Sequence, residues 1–324
     1  MTSGMLILAQ ETVEVGKFSE MIVEGLSLGT IYALLAVGFV IIFKATQVLN
    51  FAHGALAALG AFLVAGFANV WDIPGRWIPG APAWVTWAGS VVLALLAMAG
   101  LGMALERAFL RPMVGEELFA VAIVTLGLDI VIRSVTNDFI GQFSRPMGDP
   151  FGVNIVDLGW IRFAQTELLQ IVVAVVAVGA IAMFFRSRMG IAMRATAFDQ
   201  EAARAQGINV GRVFSYAWGI GAVLAAVAGV FISMFPRRSA GVDQATAFFA
   251  FKAFPAIIIG GLDSVVGAIV GGLLVGFAES ATGAYVTFDW LGVGFAGIVP
   301  YLLMLLVLII RPYGLFGTEE IRRV

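Results

Sequence analysis

The chain has 324 residues, 60% hydrophobic and 12% charged, with a mean hydropathy of +0.99. Soluble domains carry about twice that charged fraction, so this is a polytopic membrane protein. A net charge of -2 with no basic tail excludes nucleic acid as a partner, and the lack of cysteine excludes disulfides, thiolate metal sites and cysteine nucleophiles.

Glycine (39 residues) and aromatics (12%) suit helices packed through small residues, with rings near the headgroups. Strands of a membrane barrel would alternate apolar and polar residues. Here the apolar runs are continuous over about twenty residues, which makes the fold class all-α. Residues 1–17 read as an N-terminal extension whose apolar patch, 5–9, lacks a basic start, against a cleaved signal peptide. Residues 18–317 read as a single transmembrane domain, and 318–324 as a tail.

The first apolar run, about 21–43, carries Gly25, Gly29 and Ala33 at four-residue spacing, a smooth stripe for close helix packing, and ends at Lys44. A polar interruption, ATQVLNFAHG at 45–54, leads into a second run at about 55–70. Trp71, Trp77, Trp84 and Trp87 with Pro74, Pro79 and Pro82 mark an interfacial loop. A third run at about 85–105 ends at Glu106, Arg107 and Arg111. A fourth, at about 118–140, places Asp129 and Arg133 at i and i+4, where they can neutralise each other. A polar, glycine-rich stretch, 141–165, is the longest soluble loop before the fifth run at about 168–185.

Residues 186–212 carry Arg186, Arg188, Arg194, Arg204 and Arg212 between two apolar runs, so this segment is a solvated loop. Within it a short helix is predicted: Asp199 caps it, Glu201 lies in its first turn, Ala202, Ala203 and Ala205 propagate it, and Gly207 stops it. A small basic helix held on one side of a membrane is a docking device. A sixth run, about 213–235, precedes a turn with Arg237, Arg238 and Asp243. The next apolar stretch, about 247–280, is interrupted by GGLDS at 260–264, and Gly267 with Gly271, and Gly272 with Gly276, repeat the small-residue spacing. A last run, about 293–310, ends at Arg311, giving eight or nine helical segments in all.

If 186–212 is cytoplasmic, alternation puts Lys44, Arg107, Arg111, Arg311, Arg322 and Arg323 inside, the N-terminus outside and the C-terminus inside; Arg76, Arg145, Arg162, Arg237 and Arg238 fall outside. Both interruptions then lie on the cytoplasmic side, each followed by a Gly/Ala-rich run, as in a weak internal repeat with broken helices.

The chain resembles the permease subunits of branched-chain amino-acid ABC importers from about residue 24 onward. The carrying motifs are GLSLGTIYALLAVGF (25–39), VLNFAHG (48–54), TLGL (125–128), MRATAFDQEAARAQGINVGRV (193–213), FKAFPAIIIGGLDSVVGAIVGGLLVGFAE (251–279) and RPYGLFG (311–317). Glu201, Ala202 and Ala203, followed by Gly207, match the family's EAA signature. The resemblance implies that this loop is a cytoplasmic coupling helix seated on an ATP-binding subunit, in the inner membrane of a bacterium. It also implies a second permease chain, usually a related but distinct subunit, two ATP-binding subunits that hold ATP and magnesium, and a periplasmic substrate-binding protein that largely sets specificity. This chain has no G-x-x-x-x-G-K-[ST] phosphate loop, so it is read as a transport subunit and not an enzyme.

Each candidate residue carries a plainer reading beside the functional one. Glu201 is a coupling residue or an ordinary first-turn carboxylate; Arg194 and Arg204 contact the ATPase or simply set topology. Asn50 and His53 share one helix face if Asn50 starts the second helix; they are pathway or gate residues, or a cap and a locally hydrogen-bonded packing residue. Asp129 and Arg133 meet a zwitterionic substrate or neutralise each other. Glu279 and Lys252 reach toward the headgroups. Gly25, Gly29, Gly267, Gly271, Gly272 and Gly276 are packing features. An ion-coupled carrier would need deep acidic residues, for which only Asp129 and Glu279 qualify, and an intramembrane enzyme or metal site has one histidine to work with. Relatives of this permease type also serve urea, short amides and aromatic acids, and the motifs do not separate these cargoes.

Overall fold

The computed structural model describes residues 2–140, 143–238, 241–286 and 294–318, with side chains from Gly16 onward except at 139–140. Arg322, Arg323 and the start of the last run at Val293 lie outside the described residues. The elements in chain order are α1 (Thr2–Thr46), α2 (His53–Ala65, prolonged by a wide turn Gly66–Val70), α3 (Ala83–Leu105), α4 (Leu118–Ile140), a hairpin of β1 (Ile155–Asp157) and β2 (Arg162–Ala164), α5 (Gln165–Arg186), α6 (Arg188–Phe198), α7 (Gln200–Ala205), α8 (Val210–Ile232), α9 (Ala245–Phe249), α10 (Ala253–Gly260), α11 (Val265–Tyr285) and α12 (Val299–Ile310). Among the described residues seven helices are long and apolar enough to span a membrane, and the shorter Ala245–Gly260 and Phe295–Ile310 complete nine apolar segments.

The backbone shows no boundary at residue 17, because α1 is continuous from Thr2. The loop before α5 is pinned by its hairpin, with Ile155 opposite Ala164 and Asp157 opposite Arg162.

Three spanning helices, α1, α2 and α8, are buried over most of their surface and form the centre. The exposed apolar faces of α3, α4 and α5, including Val92, Leu96, Ile123, Val131, Val172 and Val175, are left for lipid or a partner. The glycine stripes of α11 address two neighbours. Gly272 and Gly276 lie against the backbone of Ala33 and Gly29 in α1, so closely that a methyl group would overlap it; Gly25 and Gly29 receive Phe277 and Leu273 in return. Gly267 and Gly271 turn to α10, against Gly260 and the Ala256 carbonyl. Without a hydrophobic drive between helices in lipid, such backbone approach is the main source of helix association.

Hydrogen bonds sort the connections onto two faces. On one, Lys44 Nζ donates to the Asp263 carbonyl (3.0 Å), Arg111 Nη2 to that of Gly211 (2.8 Å), and Leu315 and Phe316 N–H to those of Ile259 and Gly260 (2.8 and 3.1 Å). On the other, Asn69 reaches the Pro146 carbonyl (2.8 Å), Trp87 that of Met147 (3.1 Å), Ser19 that of Trp160 (2.7 Å) and Ser280 that of Met21 (3.1 Å), while Arg145 pairs with Val242. Residues 245–260, about 24 Å long as helix, therefore run from the second face to the first. The interruptions at 47–52 and 261–264 both lie on the first, which also carries α6 and α7.

Candidate functional site

The arginine-rich stretch folds as two helices. Ser187 caps α6 by accepting from Gly190 N–H (3.2 Å), and its buried Met193 and Thr196 pack toward α1 and α8. Sequence reasoning missed α6; the signal was a serine cap followed by Met189, Ala192, Met193 and Thr196 at helical spacing. Arg194 donates to the Phe185 carbonyl at the end of α5, so this arginine is engaged within the chain, whereas Arg204 is exposed.

Asp199 Oδ1 accepts from Glu201 and Ala202 N–H (2.9 and 3.0 Å), setting the start of α7. At its end Gly207 adopts φ +80°, with Gly207 N–H on the Arg204 carbonyl (2.9 Å) and Ile208 N–H on that of Ala203 (3.0 Å), the bonding of a Schellman stop. Ala203 is buried; Glu201, Ala202, Arg204 and Gln206 face out. Phe198, at the junction of the two helices, is 94% exposed and lines a groove of about 470 Å³ with Ile191, Asp199, Ala202, Gln206 and Ile208.

The first interruption differs from expectation. Helix α2 starts at His53, not at Asn50, so the two do not share a helix face. Asn50 Oδ1 instead accepts from Ala52 N–H (3.1 Å), an Asx-type turn that keeps the chain out of the helix until Ala52. Asn50 is 0% exposed and its Nδ2 has no partner. His53, 5% exposed, stands edge-on to Phe39 with centroids 6.1 Å apart, in space left open by Gly38, where a methyl would come within 3.0 Å of its Cε1. Neither ring nitrogen makes a hydrogen bond of good geometry, although the ring lies beside the Leu35 carbonyl. Thr125, from the TLGL motif, satisfies the break: its hydroxyl donates to the Leu49 carbonyl (2.9 Å) and accepts from Phe51 N–H (3.3 Å). The second interruption turns at Gly261 (φ +104°), and Ser264 caps α11 through Gly267 N–H (3.0 Å). Lys44, at the end of α1, ties the two interruptions together.

Charged groups inside the span are paired. Arg133 bonds Asp129, which is 4% exposed, and stands over the Phe248 ring at 4.9 Å. Glu279 and Lys252 do not diverge toward headgroups as expected. They bond each other (2.7 Å) and Tyr32 donates to the second carboxylate oxygen (2.6 Å), because pairing removes most of the cost of two charges in hydrocarbon. A further cluster lies where the sequence shows only a helix end: Glu106, 0% exposed, accepts from Arg111 (3.1 and 2.9 Å) and Ser215 (2.5 Å), joining the end of α3 to the start of α8 just beyond α7. Among the described residues no group of three metal-ligating side chains occurs.

Comparison with known proteins agrees with this architecture. LivH of Escherichia coli K12, a high-affinity branched-chain amino acid transport system permease protein, is 31% identical over 95% of this chain and 98% of its own. BraD of Pseudomonas aeruginosa, carrying the same description, is 30% identical over 96% and 99%. A probable branched-chain amino acid transport permease protein LivH of Methanocaldococcus jannaschii is 25% identical over 93% of each chain. The family model described as "Branched-chain amino acid transport system / permease component" matches residues 21–308. The chain is a member of that family of transport permeases.

Proposed function

We propose that this chain is one membrane-spanning half of an ATP-driven importer for branched-chain amino acids, and that α7 is the element its ATP-binding subunits grip. One observation carries this: a six-residue helix with its own cap and its own stop, exposed on its outer side beside a fully presented phenylalanine. Exposed apolar surface rimmed by polar groups marks an interaction site. Facing the compartment that holds ATP, α7 sets the N-terminal end of α1 outside and the end of α12 inside. The importer is completed by a second permease chain, two ATP-binding subunits carrying ATP and magnesium, and a periplasmic binding protein that delivers the cargo.

In the working cycle, closure of the ATP-binding subunits moves α7. Through α6, which packs on α1 and α8, that movement reaches the helices at the centre. An ion-coupled carrier would need an acid free to load a proton or sodium ion, and both deep acids, Asp129 and Glu279, are held by cations. The test is co-purification of the ATP-binding subunit with the intact chain and with Phe198→Asp. Retained binding in the variant refutes the docking face, and leucine uptake by this chain alone in ATP-free vesicles refutes the transporter class.

A further inference from the structure

In the outer half of the span, between α2, α4 and α9, lies a cavity of about 190 Å³ that the docking face does not explain. Its floor is apolar: Ala55, Ala58 and Phe62 of α2, with Ala247 of α9. Its rim is not, for Arg133, Ser134 and Asn137 of α4 converge there with Gln244, at the start of α9. Ser134 and Gln244 are exposed, and the side chains of Ser134, Asn137 and Gln244 make no hydrogen bond among the described residues. Ser134 and Asn137 on the outer half of α4, with Gln244 just before α9, would be costly against lipid, so this face meets water, a ligand or the second permease chain.

Arg133 is the charged member. Its bond to Asp129 neutralises it but engages only one of the five donors a guanidinium offers. Phe248 stacks on the group, and both side chains line the cavity, so the guanidinium stands at its wall with donors not engaged by Asp129. A planar fork with donors to spare matches a carboxylate. Beneath it the rings of Phe248, Phe251, Phe254 and Phe51 stack in succession, with centroids 6.3, 5.9 and 6.1 Å apart. They run from the cavity to the interruption on the cytoplasmic face, where the space beside Phe51, His53 and Phe254 shrinks to about 10 Å³, no more than one water.

We propose that this cavity is the entry subsite for the carboxylate of the transported molecule, taken by Arg133, with its apolar side chain laid on Phe62 and the alanines and the aromatic stack closed below it. That the carboxylate belongs to a branched-chain amino acid rests on the transport reading above; the anion subsite itself does not.

The experiment uses the complete importer in phosphatidylcholine vesicles. The chain has no cysteine, so Ser134→Cys gives it a single thiol at the rim. The rate of modification, read as a mass shift on this chain and taken relative to each reagent's rate with a free thiol in solution, should be about tenfold faster for 2-sulfonatoethyl methanethiosulfonate than for its trimethylammonium counterpart, the discrimination expected of one charge-assisted contact. It should fall in the presence of leucine, which a lipid headgroup site in zwitterionic vesicles would not produce. In the Asp129→Asn/Arg133→Gln background the preference should vanish and leucine uptake should drop at least tenfold, with the ATP-binding subunits still bound. Equal reaction with both reagents, or full uptake by the assembled double variant, overturns the proposal. If the double variant does not assemble, the Ser134→Cys rates alone decide. Anion preference in an importer that takes up no leucine leaves the subsite standing and sinks the cargo assignment instead.

Discussion

Gly207→Val isolates the docking helix from the membrane domain, because the structure gives the substitution a conformational cost and no steric one. A Cβ at Gly207 would meet nothing within 4 Å, while the φ of +80° is one that an L side chain adopts at a cost of about 1–2 kcal/mol. Helices shorter than about 12 residues are marginal on their own, and α7 has 6 residues. Its order rests on the Asp199 cap, worth about 1 kcal/mol, on the Schellman bonds that need the glycine, and on the burial of Ala203. Removing about 1.4 kcal/mol lowers the ratio of formed to unformed helix roughly tenfold. Hydrogen exchange across 200–206 should accelerate by up to that factor and capture of the ATP-binding subunit near its Kd should weaken as the formed fraction falls, with the melting temperature of the detergent-solubilised chain unchanged. Fast exchange at 200–206 with undiminished capture would show that α7 is not the docking element. A lowered melting temperature would show that it is part of the core.

Two packing predictions are more direct. Gly276→Ala should destabilise by about 1–3 kcal/mol, since the methyl overlaps the Gly29 backbone, whereas Gly100→Ala, in the interior of α3 with nothing for its methyl to meet, should leave thermal stability unchanged or raise it by up to about 1 kcal/mol. Equal effects would remove the case for the α1–α11 crossing. Lys252→Met should cost up to about 3 kcal/mol, less than for a fully buried pair because the lysine is 31% exposed, and Lys252→Met/Glu279→Leu should recover most of it. Simple additivity in that cycle would mean that the pair is not coupled.

Apolar runs made the spanning segments legible, because length and continuity alone decide whether a segment can cross hydrocarbon. Asp199 and Gly207 were legible because cap and stop depend on a residue's own side chain, or its lack of one. The partnerships were not. Glu279 and Lys252 are distant in sequence but bonded in space, Glu106 meets Ser215 across two helices, and Thr125 serves the Leu49 carbonyl, 76 residues earlier. Asn50 was misplaced by a few residues because an asparagine next to a helix can open an Asx turn as readily as a cap, and only the backbone distinguishes them.

The buried orphans at that break bear on which state the structure represents. Among the described residues neither nitrogen of His53 makes a hydrogen bond of good geometry and Nδ2 of Asn50 has no partner, and each such group costs about 1–3 kcal/mol while it stays dry. Parting the Phe51–Phe254–Phe251 stack would admit water to them, so an opened conformation regains what the sealed one forgoes. His53→Leu removes that difference while keeping an apolar side chain of similar bulk beside Phe39. It should stabilise the sealed state by about 1–3 kcal/mol and so bias the opening equilibrium by about 5- to 150-fold. A higher melting temperature, slower leucine uptake and unchanged capture of the ATP-binding subunit are expected together. A lower melting temperature would mark His53 as a packing residue with a satisfied ring. A higher one with normal uptake would show that the break stays dry throughout the cycle.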